Sequence, residues 1–192
     1  MKRTLSILIV VIPLVVAVAS LAAGGEHPYV GSQKCKACHI KEWKSWSETK
    51  MAKAMETLKP GAAADVKKAA GLDPAKDYTH DQTCVACHTT GHGKPGGFVD
   101  LETTPALAGV GCEMCHGAGG TYIEKQYMSL QNKEYKKAEV VAVGLVDKVG
   151  EKQCTVCHNT KNPVAPKDYK FDLEAEMERG GQHETFPLKY AH

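Results

Sequence analysis

Aromatic residues are scarce in this chain of 192 residues, where Phe, Trp and Tyr together make up 6% and Phe occurs three times. A domain of this length normally buries many large apolar side chains, so its own side chains would give only a thin core. Alternating runs of β-branched residues are almost absent except near 140–143, which argues against a sheet protein. No charge of one sign dominates either, because 24 basic residues face 22 acidic ones. Nothing in this balance indicates nucleic-acid binding.

The eight cysteines, by contrast, all fall in one pattern, C-x-x-C-H, which occurs four times. This pattern is typical of covalent haem c attachment, in which two thiols bind the vinyl groups and the histidine supplies an axial nitrogen. Disulfides and redox dithiols do not need the histidine, and adjacent Cys and His are poorly placed to bind one tetrahedral zinc ion. We therefore predict four covalently attached haem c groups, which also supply the missing apolar volume. The attachment residues are Cys35, Cys38, Cys84, Cys87, Cys112, Cys115, Cys154 and Cys157, and the proximal ligands are His39, His88, His116 and His158.

The N-terminus has the layout of a secretory signal. Lys2 and Arg3 precede an uncharged run at 5–23 that ends in small residues. An uncleaved anchor is the alternative, since the run is nearly long enough to span a bilayer, but Pro13 and the small-residue exit favour cleavage. We predict a signal peptide at 1–23 and one exported domain at 24–192 with no membrane contact after cleavage. Its destination is the periplasm, or the cell surface and extracellular space.

Helix signals dominate the exported part. The motifs are unequally spaced, which argues against an array of identical repeats. We predict a mainly α fold with long irregular loops, little or no β-sheet and a compact, haem-packed core. The expected helices lie at 40–59, 62–70, 121–137 and 172–179.

Histidines outside the motifs provide candidates for the second axial ligand of each iron. There are five, and four irons with two imidazoles each need four of them. His80 and His92 lie too near their own motif to reach its opposite face easily, so we expect them to serve neighbouring haems. His183 lies on a segment that can fold back. His27 and His192, near the two ends, can also reach a second molecule. Methionine is the other possible ligand, but most Met residues here have the helical spacing of packing residues.

Several segments resemble the tetrahaem cytochrome c-554 family: residues 53–60, 72–78, 109–113 and 115–117. The resemblance implies a mainly helical periplasmic electron shuttle with haems in edge-on and parallel pairs, three with a distal histidine and one open. The family's distal histidines correspond here to Met51, a position near Gln126, and His183. His80 and His92 replace residues that are not histidine in the family. The ligand pairing of the family therefore cannot be transferred.

The chain is also similar to the outer-surface tetrahaem cytochromes of metal-reducing bacteria, whose subunits assemble into filaments. This resemblance implies a homopolymer with haem contacts between subunits and one distal histidine from the adjacent subunit, for which His27 is the first candidate and His192 the alternative. We predict electron transfer with other c-type cytochromes as donor or acceptor, along stacked haems with two histidines each, as a wire to external acceptors. A monomeric periplasmic shuttle is the alternative. A haem reductase of nitrogen oxides is less favoured, because no lysine replaces a motif histidine, and we do not expect an enzyme.

Overall fold

The computed structural model describes residues 27–180 and 182–187. The predicted signal peptide at 1–23 and His192 lie outside these residues. Within them the chain forms eight short α-helices and two 3₁₀-helices, and the β-structure consists of two isolated bridges, Thr89–Ala108 and Ser129–Asn132. The expectation of a mainly helical fold with long loops is confirmed. The α-helices are α1 (Ser32–Lys36), α2 (Ile40–Ser47), α3 (Ala64–Ala69), α4 (Gln82–His88), α5 (Cys112–His116), α6 (Lys137–Ala142), α7 (Glu151–Cys154) and α8 (Leu173–Glu178).

Each C-x-x-C-H motif forms about one helical turn. The second and third motifs lie inside α4 and α5, and the first and fourth continue from the ends of α1 and α7. In those two, the histidine N–H donates to the carbonyl of the first cysteine over 2.9 Å. Residues three positions apart share one face of a helix, so both thiols of a motif point to the same side. Asp81 caps α4 by accepting from the backbone N–H of Thr83.

The helix predicted at 40–59 is divided in two. Helix α2 ends at Ser47, and a 3₁₀-helix follows at Ala54–Leu58. Between them the Thr49 hydroxyl donates to the Trp46 carbonyl over 2.7 Å and accepts from the Ala52 N–H over 3.2 Å. These side-chain bonds replace the helical backbone pattern and let the chain turn.

The prediction of a helix at 121–137 is wrong, because the chain forms a series of turns before α6 begins at Lys137. The Ser129 hydroxyl accepts from the N–H groups of Gln131 and Asn132, and the Asn132 side chain donates to the Gln126 carbonyl over 2.7 Å. Serine and asparagine compete in this way with helical hydrogen bonds. The predictions at 62–70 and 172–179 are confirmed by α3 and α8, and Asp172 caps α8 by accepting from the Ala175 N–H.

The main buried cluster is small. It joins the 3₁₀-helix Ala54–Leu58 to α4 and to the loop that follows α4. Its fully buried members are Met55, Leu58, Tyr78, Val85, Phe98 and Leu107. None of the helices in the described part of the chain is long and apolar enough to cross a membrane. The buried cluster of six side chains is a small core, as expected from the scarcity of aromatic residues.

A second buried centre is polar and lies on α5. The Glu113 side chain is 2% exposed and accepts hydrogen bonds from three backbone N–H groups. Those of Gly31 and Gly119 lie 2.7 Å away, and that of Val30 lies 3.0 Å from the nearer oxygen. The carboxylate thus connects the third motif to the N-terminal segment and to the loop after α5.

Candidate haem-binding sites

Cysteines of different motifs lie next to each other. The thiols of Cys35 and Cys112 interact, which raises the pKa of Cys35 and lowers that of Cys112. The Cys87 and Cys157 thiols interact in the same way, with the pKa of Cys87 lowered and that of Cys157 raised. The first motif therefore adjoins the third, and the second adjoins the fourth.

Helices α5 and α7 connect these two pairs of motifs, because they pack against each other. Burial raises the pKa of Cys115 to about 11, and the nearby Cys154 thiol adds to the shift. The four attachment sites thus adjoin in the order first, third, fourth, second. The sequence alone did not give this order.

A cavity of about 500 Å³ opens between the first and third motifs. Its lining includes Cys35, His39, Cys112 and His116, together with apolar side chains of α6 and the loops around it. The C-terminal segment 182–187 closes one side, where it contributes His183, Thr185 and Phe186.

Two imidazoles of the cavity lining lie close together. The ring centres of His116 and His183 are 6.2 Å apart, and their planes differ by 30°. A metal–imidazole bond is about 2.0 Å long and the ring centre lies about 1 Å beyond the nitrogen, so two imidazoles on opposite sides of one metal have centres about 6 Å apart. The observed separation matches the spacing that two axial ligands of one metal would have.

Hydrogen bonds and burial leave both rings with an available nitrogen. The Nδ1 of His183 donates to the Glu184 carbonyl over 2.7 Å, so Nδ1 is engaged and Nε2 is the ring nitrogen that could bind a metal. Burial lowers the pKa of His116, and the proximity of His183 and His39 lowers it further. A neutral imidazole is the form that binds a metal.

Two other motif histidines are oriented through Nδ1. That of His88 donates to the Ala54 carbonyl over 2.7 Å, with the Thr57 hydroxyl 3.2 Å away. That of His158 lies 3.3 Å from the Tyr169 hydroxyl. In both rings the contact engages Nδ1, and Nε2 is the nitrogen that could bind iron.

Two other distal candidates, His27 and His80, lie away from the cavity lining. His27 is half-buried, and its Nδ1 lies 2.8 Å from the Thr121 hydroxyl. His80 is exposed beside Asp77 and Asp100. Hydrogen bonds from Thr79 and Thr103, respectively, lower the pKa of these two carboxyls, and His80 adds to both shifts. The structure thus brings His183 to a motif histidine, and does not bring His27 or His80 to this cavity.

His92 is half-buried beside Phe98, with ring centres 6.5 Å apart. Its Nδ1 is buried and has no hydrogen-bond partner among the residues described. Nε1 of Trp43, which lines the cavity, is in the same state. Buried polar atoms normally have partners, so both fit a site that is completed by a further group.

The donor set fits haem c. Paired thiols lie one turn apart, imidazoles have free nitrogens, and the cavity is largely apolar with an indole N–H that an acceptor such as a propionate can satisfy. A helical fold with four such attachment sites defines a multihaem c-type cytochrome.

Comparisons with known proteins agree. Residues 34–117 match the family model described as cytochrome c554 and c-prime. Cytochrome c-554 of Nitrosomonas europaea is 37% identical to the chain, with 88% of this chain and 80% of that protein covered. The solved structure of the reduced state of cytochrome c554 from Nitrosomonas europaea matches with a TM-score of 0.72 and 34% identity, over 86% of this chain and 89% of that one. The chain therefore belongs to the cytochrome c554 family, and it is a tetrahaem electron-transfer cytochrome.

Three supporting residues escaped sequence reasoning. Glu113 lies between two motif cysteines, where an acidic residue gives no signal of burial. Thr57 and Tyr169 contact motif histidines that are 31 and 11 residues away along the chain. Only the short distance from Tyr169 to the fourth motif offered a hint.

Proposed function

We propose that the eight motif cysteines bind the four haems and that His39, His88, His116 and His158 are the proximal ligands. Residues 24–192 would form one exported domain after removal of a signal peptide at 1–23. When bound, haem iron supplies reversible one-electron chemistry, and the protein adjusts its potential through ligands, hydrogen bonds and burial. Contacts between the first and third, third and fourth, and fourth and second motifs support a single domain.

The proposal of electron transfer without substrate chemistry rests on the neighbouring rings of His116 and His183. Two imidazoles on one iron leave no coordination position for a substrate. His183 is accordingly the proposed distal ligand at the third motif. His80 and His92 are the proposed distal ligands of other irons, and the unpaired Nδ1 of His92 supports its part. Electrons would cross the protein in the order of the adjoining attachment sites, from the first through the third and fourth to the second, or in reverse.

Mass spectrometry and absorption spectroscopy test this proposal. The secreted protein should carry the mass of four haems, and its ferric spectrum should be low-spin. His183→Ala should open one of the four irons to carbon monoxide in the reduced protein, while Glu134→Ala, at an exposed position, should not. A high-spin ferric band in the unaltered protein, together with ready nitric oxide binding, would favour a reductase instead.

We propose further that the exported protein polymerises at the cell surface and that His27 supplies a distal ligand to the adjacent subunit, with His192 as the alternative donor. This proposal is based on the resemblance of the sequence to filament-forming outer-surface cytochromes and on the position of His27. The contact with Thr121 occupies Nδ1 and leaves Nε2 available, and the ring is half-buried outside the cavity of the third motif. The wire would pass electrons between other c-type cytochromes and an external acceptor.

Electron microscopy and size measurement of the secreted protein separate this assembly from the alternative, a monomeric periplasmic shuttle. Filaments that are lost in His27→Ala, but not in the exposed control Glu134→Ala, would support ligation between subunits. If the secreted protein is a monomer with four low-spin irons, the proposal of electron transfer stands and the proposal of a polymer is wrong.

A further inference from the structure

The peptide groups on either side of Glu184 link the distal candidate His183 to α2. The Glu184 N–H donates to the Ser45 hydroxyl over 2.9 Å, and the Glu184 carbonyl accepts from Nδ1 of His183 over 2.7 Å. Ser45 precedes Glu184 by 139 residues. A hydroxyl on a helix thus holds a backbone segment whose carbonyl orients the imidazole.

The surroundings of this link belong to the cavity of the third motif. Helix α2 also carries Glu42 and Trp43 into the lining, and Thr185 and Phe186 follow Glu184 into the same lining. The Lys41 ammonium lies 5.8 Å from the Phe186 ring centre. The Ser45 bond therefore attaches the C-terminal segment to a wall of the cavity at the residue next to His183.

We propose that Ser45 is a positioning residue for the distal imidazole, acting through the backbone of Glu184. The inference rests on the proposed ligation by His183. Groups that hold the second nitrogen of a ligating histidine fix its ring plane and its basicity. With the Ser45 bond in place, the Glu184 carbonyl stays within hydrogen-bond distance of Nδ1, and the ring of His183 stays beside that of His116.

Carbon monoxide binding to the fully reduced holoprotein measures this effect. At the iron of the third motif, the gas would bind only after His183 has dissociated from the metal. Ser45→Ala should raise the association rate at that iron about 2- to 4-fold, the lower part of the range for one hydrogen bond, since Glu184 is exposed. The His183→Ala variant identifies the signal of that iron. Carbon monoxide should bind that iron much faster in His183→Ala, and this fast phase identifies the signal to be measured in the Ser45 variants.

Ser47→Ala is the matched control on the same helix, because the Ser47 hydroxyl donates only to the nearby Lys44 carbonyl among the residues described. A second pair of variants, Ser45→Thr and Ser45→Val, has equal shape and differs in the hydroxyl. Ser45→Thr should keep the slow carbon monoxide association of the unaltered protein, and Ser45→Val should show the faster association of Ser45→Ala.

The outcomes separate the two proposals. If His183→Ala leaves every iron closed, the ligation by His183 is wrong. If His183→Ala opens one iron while Ser45→Ala and Ser45→Val bind the gas at the normal rate, ligation stands and the role of Ser45 is refuted. Equal rate increases in Ser47→Ala and Ser45→Ala would also refute it, because any change in α2 would then suffice.

Discussion

Replacing Glu113 by alanine should destabilise the holoprotein strongly. The substitution removes the acceptor of three backbone N–H groups, and those of Gly31 and Gly119 are buried. A buried donor left without a partner costs about 1–3 kcal/mol, so the free energy of unfolding should fall by about 2–6 kcal/mol. Glu113→Gln keeps one carbonyl oxygen but turns an NH₂ group toward N–H donors, and we expect a loss of about 1–3 kcal/mol.

Guanidinium unfolding of the holoprotein, followed by far-UV circular dichroism, measures this loss. Glu134→Ala is the control, because an exposed glutamate outside such a site should change stability by about 0.5 kcal/mol or less. The Glu113→Ala protein should also lose order at Val30 and Gly31, visible as faster amide exchange there. A loss below about 1 kcal/mol in Glu113→Ala would refute the view that this carboxylate holds the N-terminal segment.

Three further predictions concern the axial ligands, the acid sensitivity and the haems. Tyr169→Phe removes the acceptor near Nδ1 of His158, so a redox titration should show one potential raised by on the order of 10 mV, and an unchanged set of potentials would contradict the contact. Hydrogen bonds from Thr103 lower the pKa of Asp100, so its stabilising effect is present above the ordinary carboxyl value of about 3.9 and is lost as pH falls through the lower folded value. The unfolding midpoint of Asp100→Asn should therefore depend less on pH below about pH 4, and equal acid profiles would contradict this. The polypeptide made without haem should show no cooperative unfolding transition, because the buried cluster is small, and a sharp transition would refute this expectation.

The sequence predicted the chemistry of the sites better than their arrangement. The four C-x-x-C-H motifs predict the attachment residues directly, because about one helical turn contains all the groups that haem attachment needs. The pairing of His116 with His183 could not be read in the same way. These residues are far apart in sequence, and their meeting depends on the path of the C-terminal segment across α2.

Secondary structure was predictable where local signals agreed. Asp172 and the glycine after α8 delimit that helix, and the cap was found where it was expected. The helix prediction for 121–137 failed because the side chains of Ser129 and Asn132 hydrogen-bond to the neighbouring backbone. The spacing of apolar residues gives no sign of this competition with helical hydrogen bonds. The motif helices were missed because four to seven residues are too few for a periodic signal.

The interleaved arrangement of attachment sites has a consequence for biogenesis. Each close pair joins one early motif to one late motif, so neither pair can close while only the first two motifs have been synthesised. The first cofactor must wait in an open chain until Cys112 arrives, and the second until Cys157 does. Maturation should accordingly proceed through an extended intermediate that needs protection from proteases, and any truncation before the last motif should leave one early site permanently unpaired.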